Sequence, residues 1–151
     1  MAPSKKGKGK REGAAKEEPV DAPSMPAATM FRGVTASVLA LVIPGLGHAY
    51  LGKLGRAAAM LCGITAMAVL GLAHHGGLAT PRPGEPLSYL ATFANLGIGP
   101  AYFVLRATTG LAIGDPDDRT FEYGSTYMLS AGLLNFLAML DAFDIAVGRK
   151  P

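Results

Sequence analysis

Tryptophan is absent from this chain, cysteine occurs once, and charge is scarce. Asp, Glu, Lys and Arg make up 17% of the 151 residues, where about 25% is usual for a soluble domain. A single cysteine, Cys62, excludes an internal disulfide, and no metal-ligating side chain neighbours it in the sequence. Nucleic acid is excluded as a partner on similar grounds, because the basic N-terminal run contains no aromatic residue on which bases could stack. Also missing are a nucleophile–base arrangement, a glycine-rich phosphate loop and any zinc-ligand spacing. The sequence therefore nominates no catalytic residue, no metal and no cofactor, and the expectation is a protein that is not an enzyme.

The shortage of charge is concentrated. Residues 33–52, 57–81, 86–105 and 123–140 contain no Asp, Glu, Lys or Arg. Each approaches the roughly 20 residues with which a helix rising 1.5 Å per residue crosses about 30 Å of hydrocarbon. Buried helices of a soluble bundle would keep a polar outer face with period 3.6, and these stretches have none. The fold class expected is all-α and integral to a membrane, with about four transmembrane helices in two antiparallel hairpins. The spans fall at about 30–51, 57–73, 87–107 and 126–147, within a helical domain of 30–148. The first reads as a retained anchor, since its apolar run exceeds a signal-peptide core.

Residues 1–29 carry Lys, Glu, Ala, Pro and Gly with little to bury, and read as a disordered tail. Lys5, Lys6, Lys8, Lys10 and Arg11 come first; Glu12, Glu17, Glu18 and Asp21 follow. With four spans, the tail, Arg32, Arg82, Arg149 and Lys150 share one side. Of fourteen Lys and Arg this leaves only Lys53, Arg56, Arg106 and Arg119 opposite, which places both termini in the cytoplasm, at a bacterial inner membrane. If the first segment instead dips into the bilayer and returns, Lys53 and Arg56 also become cytoplasmic and three full spans remain.

The stretch VIPGLGHAYLGKLGR, residues 42–56, interrupts the first apolar run. Pro44 has no N–H, so the carbonyl of Ala40 loses its helical partner, and Ile43 is biased toward extended geometry. A helix stopped at Pro44 would measure roughly 21 Å, whereas one continued to Leu51 reaches roughly 33 Å. Length favours a kinked full span; a helix end followed by a buried break is the alternative. Gly45, Gly47 and Gly52 loosen the backbone. Ala59 and Gly63 in the next span suit close helix packing. His48 and Tyr50 fall near the membrane boundary, where amphipathic rings are at home. The segment PGLGHAYLGK resembles the P-G-x-G-[HQ]-x-Y-x-G hairpin motif of small bacterial multi-pass membrane proteins of unknown function. It is also distantly similar to the two-transmembrane-helix domain family. The resemblance implies a helical hairpin and no known reaction. GLGHAY at 45–50 is echoed by GIGPAY at 97–102. Chance accounts for this more readily, since the flanks do not match. A true repeat would place both breaks at comparable positions in their own hairpins.

The fourth span carries Asn135, Asp141 and Asp144. The two carboxylates share a helix face, with Asn135 on nearly the same side. By depth they sit toward the cytoplasmic boundary beside Arg149 and Lys150, which favours a structural role. The functional alternative is a cation or proton site that also draws on Asn135 or Asn95. Asp115, Pro116, Asp117 and Asp118 have the form of a helix start, and Ser125 that of the cap of the fourth span. His74 and His75 could join these acids at a metal only on one side of the membrane, and four spans separate them. The leading function expected is membrane assembly, scaffolding or partner binding, with the bilayer and a homo-oligomer or other membrane proteins as partners. A small ion- or proton-coupled transporter or channel using Asp141 and Asp144 is the alternative. A lipid-modifying enzyme using His48 and an Asp is the weakest reading.

Overall fold

The computed structural model describes residues 26–109 and 117–150. Residues 1–25 of the expected tail, and Asp115 and Pro116 of the expected helix start, lie outside them. Among the described residues every regular element is helical: α1 Ala27–Val42, α2 Leu46–Tyr50, α3 Leu54–Ala73, α4 Pro86–Leu96, α5 Pro100–Thr109 and α6 Phe121–Ala146. Only α3 and α6, of 20 and 26 residues, are long and apolar enough to cross a membrane. The first and third expected spans are each divided in two. α1 also starts three residues before the anticipated boundary, so the end of the expected tail is helical.

The division follows from backbone chemistry. α1 stops at Val42; Ile43 is extended, at φ −135° and ψ 121°, as a residue before proline tends to be. Gly45 then takes φ +84°, a left-handed turn that residues with a Cβ rarely adopt. The chain does not continue upward as a kinked span. It folds back, and a side chain on Gly47 would collide with the carbonyl of Ala36 and the Cβ of Ala40. α2 therefore lies against the last two turns of α1. The second break repeats the device with other residues: Gly99 has φ +75°, and Pro100 supplies the first residue of α5, where a missing N–H costs nothing.

α6 is the post on which the rest is assembled. α1 runs antiparallel to it, with Gly33 beside Phe143 and Val147, Ser37 donating to the carbonyl of Met139 (3.2 Å), and Leu41 level with Asn135. α3 is antiparallel to α6 as well. Its start lies near Asp141, its middle packs Ile64 against Ala131 and Ala138, and Gly71 meets Met128 and Gly124. α4 runs the same way as α6, stacking Phe93 on Phe136 with centroids 4.9 Å apart. α5 reverses, so that Tyr102 joins Leu78, Ile98 and Met128 in a buried cluster and its hydroxyl donates to the carbonyl of Ala79 (3.1 Å).

The molecule thus has two ends. At the terminal end α1 begins, α2 finishes, α3 starts and α6 finishes. At the distal end α3 finishes, α6 starts, and the 74–85 segment joins α3 to α4. Hairpin α1–α2 rises from the terminal end to mid-height; hairpin α4–α5 descends from the distal end to the same level. Each is followed by one full-length helix, α3 or α6, and the two halves run in opposite directions. α6 begins at Phe121 rather than at an N-cap on Ser125. The hydroxyl of Ser125 instead accepts from the N–H of Gly77 (3.1 Å). The structure also corrects the expected separation of His74 and His75 from the acids. The Thr120 hydroxyl shares its one hydrogen between the carbonyl of His74 (3.1 Å) and Asp118 (2.8 Å), so His74 and Asp118 both occupy the distal end. No cluster of three His, Cys, Asp or Glu able to hold a metal occurs among the described residues.

Candidate functional site

The two breaks meet at the centre. Gly99, at the tip of α4–α5, has no room for a side chain because the carbonyl of Leu41, at the tip of α1–α2, occupies that position. Asn135 of α6 spans the junction. Its amide donates to the carbonyl of Gly97 (2.8 Å) and, more weakly, approaches that of Leu41 (3.4 Å). Asn135 is wholly buried, and its carbonyl oxygen has no partner. It lies 14 residues into a helix of 26, or about 21 Å along an axis of about 39 Å.

Two further buried polar groups flank this centre. His48, brought inward by the reversal at Gly45, is 0% exposed. This overturns the expectation of a boundary-seeking ring: α2 points into the bundle, and only Tyr50, 51% exposed, faces outward. The Nε2 of His48 lies 3.0 Å from Asp141. Asp141 also accepts from the Lys150 ammonium at 2.8 Å, with the Arg56 guanidinium 3.9 Å away. A carboxylate held by cations can only accept, so Nε2 carries the hydrogen of this bond and Nδ1 is the other ring nitrogen. That Nδ1 is buried and unpartnered. Asp144 faces Arg149 (3.6 Å) and Lys150 (3.9 Å), so both carboxylates have the cationic partners suggested by their spacing. The hydrogen bond to Asp141 raises the pKa of Lys150 above its ordinary value.

On the distal side Asn95, in the last turn of α4, is also 0% exposed, and neither its amide nitrogen nor its oxygen has a partner. It lines a cavity of about 300 Å³ beneath the 77–82 segment. A buried polar atom left unpaired costs about 1–3 kcal/mol. Asn95, Asn135 and His48 each hold such an atom, so the bundle tolerates buried polar atoms that its own hydrogen bonds do not use.

Of the residues singled out in the sequence, the structure gathers His48 and Asp141, and joins Asn135 to the tips containing Gly45, Gly47 and Gly97. Pro44 makes the break but faces none of these polar groups. Gly52 sits in the exposed turn before α3, with φ +77° and nothing within 4 Å of a side chain there. Asp144 stays at the terminal rim. Lys150 pairs with Asp141 as its place near the carboxylates in the sequence suggested; Arg56 was missed as a partner, its only signal being charge near a helix end. The chain belongs to a family of unknown function, DUF6677, whose model matches residues 35–151. No curated protein matches the chain, and no solved structure does.

Proposed function

We propose that the protein is an integral membrane transporter in which half-crossing hairpins from opposite faces enclose a proton-handling polar line, with both termini cytoplasmic. The observation that carries this reading is the meeting of the two hairpin tips at Asn135, halfway along α6. Broken helices that meet at the bilayer midplane in oppositely oriented halves are the general architecture of solute and ion sites in membranes. Irregular backbone at that depth is tolerated where protein covers it. Histidine is the residue type that exchanges a proton near neutral pH, and His48 presents a buried, unpartnered ring nitrogen toward this line.

Membrane insertion is supported by surface composition. α3 buries 17% of its most apolar window and exposes Leu54, Leu61, Val69 and Leu70, a surface suited to lipid rather than water. The hairpin arrangement also sharpens the charge asymmetry. Among the described residues Arg32, Lys53, Arg56, Arg149 and Lys150 lie at the terminal end, and Arg82, Arg106 and Arg119 at the distal end. The terminal end thus carries the more positive charge among the described residues, and the positive-inside rule assigns that end to the cytoplasm.

Two measurements test this. With Cys62 replaced by Ser, an impermeant maleimide added outside intact cells should label Glu85→Cys and spare Lys53→Cys; four full spans would give the reverse. Purified protein in liposomes should then carry a pH-gradient-driven proton flux that His48→Phe removes. Wild-type vesicles as tight as empty ones would overturn the transport reading. Assembly or partner binding is favoured by one separate observation: Gly55 and Gly63 on α3 have nothing within 4 Å, leaving a small-residue face open to a second helix. Crosslinking between α3 helices in native membranes would support it, and a lone monomer would remove it.

A further inference from the structure

The cavity beside Asn95 lies apart from the His48–Asp141 pair and has a different chemistry. Leu78, Ala91, Phe121 and Leu129 contribute apolar walls, Arg82 stands on its lining near the distal surface, and Asn95 belongs to its deep end. Arg82 is already 3.9 Å from Glu85, and its side chain is 68% exposed, so the rim offers no uncommitted buried charge. Two of the three hydroxyls that line the cavity, those of Ser88 and Ser125, are engaged, and the third belongs to the half-buried Thr80. Ser88 donates to the carbonyl of Glu85 (2.7 Å) and accepts from the N–H of Arg82 (2.8 Å), and Ser125 accepts from Gly77. Among the buried side chains of this lining, Asn95 alone holds both a donor and an acceptor that nothing uses.

We infer that this cavity is a binding site for a small neutral molecule that carries an adjacent N–H and C=O, an amide, urea or lactam, on an otherwise apolar body. The amide of Asn95 is complementary to that pair: its Nδ2 donates to the ligand carbonyl and its Oδ1 accepts from the ligand N–H. A volume of about 300 Å³ stands at the small end of ligand pockets, and a lining that is mostly apolar with one convergent polar group is their usual composition. Charged ligands are disfavoured, because the deep end supplies no counter-charge and burying an unpaired ion is costly. Since the side chain of Asn95 bonds to no part of the protein, replacing it removes no internal hydrogen bond. A structural role and a binding role therefore predict different results for the same variant.

The test uses the full chain in detergent micelles, with 2-pyrrolidinone as probe and cyclopentanone, which keeps the ring and carbonyl but lacks the N–H, as control. The lactam should bind saturably, and the ketone on the order of tenfold more weakly, the ratio that one hydrogen bond supplies. Asn95→Leu should abolish lactam binding while leaving the melting midpoint unchanged or raised. Ala91→Leu, which fills the cavity from its wall and leaves Asn95 in place, should abolish binding too, and it decides the matter if Asn95→Leu fails to fold. Absence of saturable lactam binding, equal binding of lactam and ketone, or binding retained by either variant would overturn the assignment. This equilibrium reading is independent of proton flux, so its failure and that of the transport reading are separately visible.

Discussion

Alanine at Gly124 should destabilise the fold in a way that the structure quantifies. Gly124 is in the first turn of α6, where it faces the chain leaving α3. A Cβ there would lie 2.5 Å from the nitrogen of Gly76, 2.6 Å from its Cα and 2.7 Å from the carbonyl oxygen of His74. All three are backbone atoms, and ordinary contact begins near 3.4 Å, so the 74–77 segment must retreat by roughly 0.8 Å. That retreat stretches the Gly77–Ser125 and Thr120–His74 hydrogen bonds, each now 3.1 Å, beyond useful length. It also pulls at Leu78, which is 2% exposed and holds the distal core with Ile98, Tyr102 and Met128. Overpacking costs about 1–3 kcal/mol and each lost hydrogen bond about 0.5–1.5. A total of about 2–6 kcal/mol corresponds to a fall of roughly 5–20 °C in the melting midpoint of a chain of this size. With no tryptophan in the sequence, the assay is the far-ultraviolet circular dichroism melt of protein in detergent. Gly63→Ala is the control: nothing lies within 4 Å of it, and alanine suits a helix interior better by up to about 1 kcal/mol. Equal midpoints for the two variants would refute the argument from backbone contact.

The two partners of Asp141 should separate in the same assay. His48→Phe removes a buried hydrogen bond to a charged group and should cost about 1.5–3 kcal/mol, while Lys150→Ala removes a half-exposed ion pair and should cost less. A larger loss for Lys150→Ala would contradict the assigned burial of His48. Asp118 accepts from the N–H and hydroxyl of Thr120 (2.7 and 2.8 Å), and these bonds, first the one from the backbone, hold its pKa below the usual carboxylate value. Because the folded-state pKa is depressed, its stabilisation is complete above about pH 4 and fades as pH falls through the lowered value. The difference in melting midpoint between wild type and Asp118→Asn should therefore be constant from neutral pH down to about pH 5 and shrink below it. Lys150 has the opposite sign: its stabilisation is present below about pH 10.4 and is lost as pH rises through its raised pKa. Lys150→Ala should show no pH-dependent difference from wild type between about pH 6 and 9, and a slope in that range would contradict the pairing.

The sequence made some of this legible. Pro44 and Gly45 announced a break, and the absence of charge announced apolar helices. What local reading could not supply was the direction taken after the break. The length argument assumed that each apolar run crosses the bundle alone, whereas α1 needs only half the distance because α4–α5 completes the column from the other end. The reversal depends on Gly47 fitting against Ala36 and Ala40, a tertiary fact. The pairing of His48 with Asp141 joins residues 93 positions apart, and no spacing rule reaches that far. The echo between GLGHAY and GIGPAY occupies the turn of each hairpin, as a repeat demands. Yet its letters are not equivalent in register, since the left-handed turn falls on Gly45 in one and on Gly99, two positions later in the motif, in the other. Asn95 and Asn135 were visible as amides in apolar runs; that one bridges and the other is unused was visible only in three dimensions.

The place of α6 after the helices that pack on it has a consequence for how the protein is made. α1 and α3 both find their principal neighbour in α6, and contacts such as Ser37 with Met139 close across 102 residues. During synthesis the first half emerges with its small-residue faces unmatched and the imidazole of His48 without its carboxylate. Closure of such distant contacts is slow, because chain entropy is lost before they form. Until α6 leaves the ribosome, α1 and α3 stay without their principal neighbour. A ribosome stalled before Asn135 should therefore hold a protease-sensitive intermediate, which becomes resistant once α6 is released.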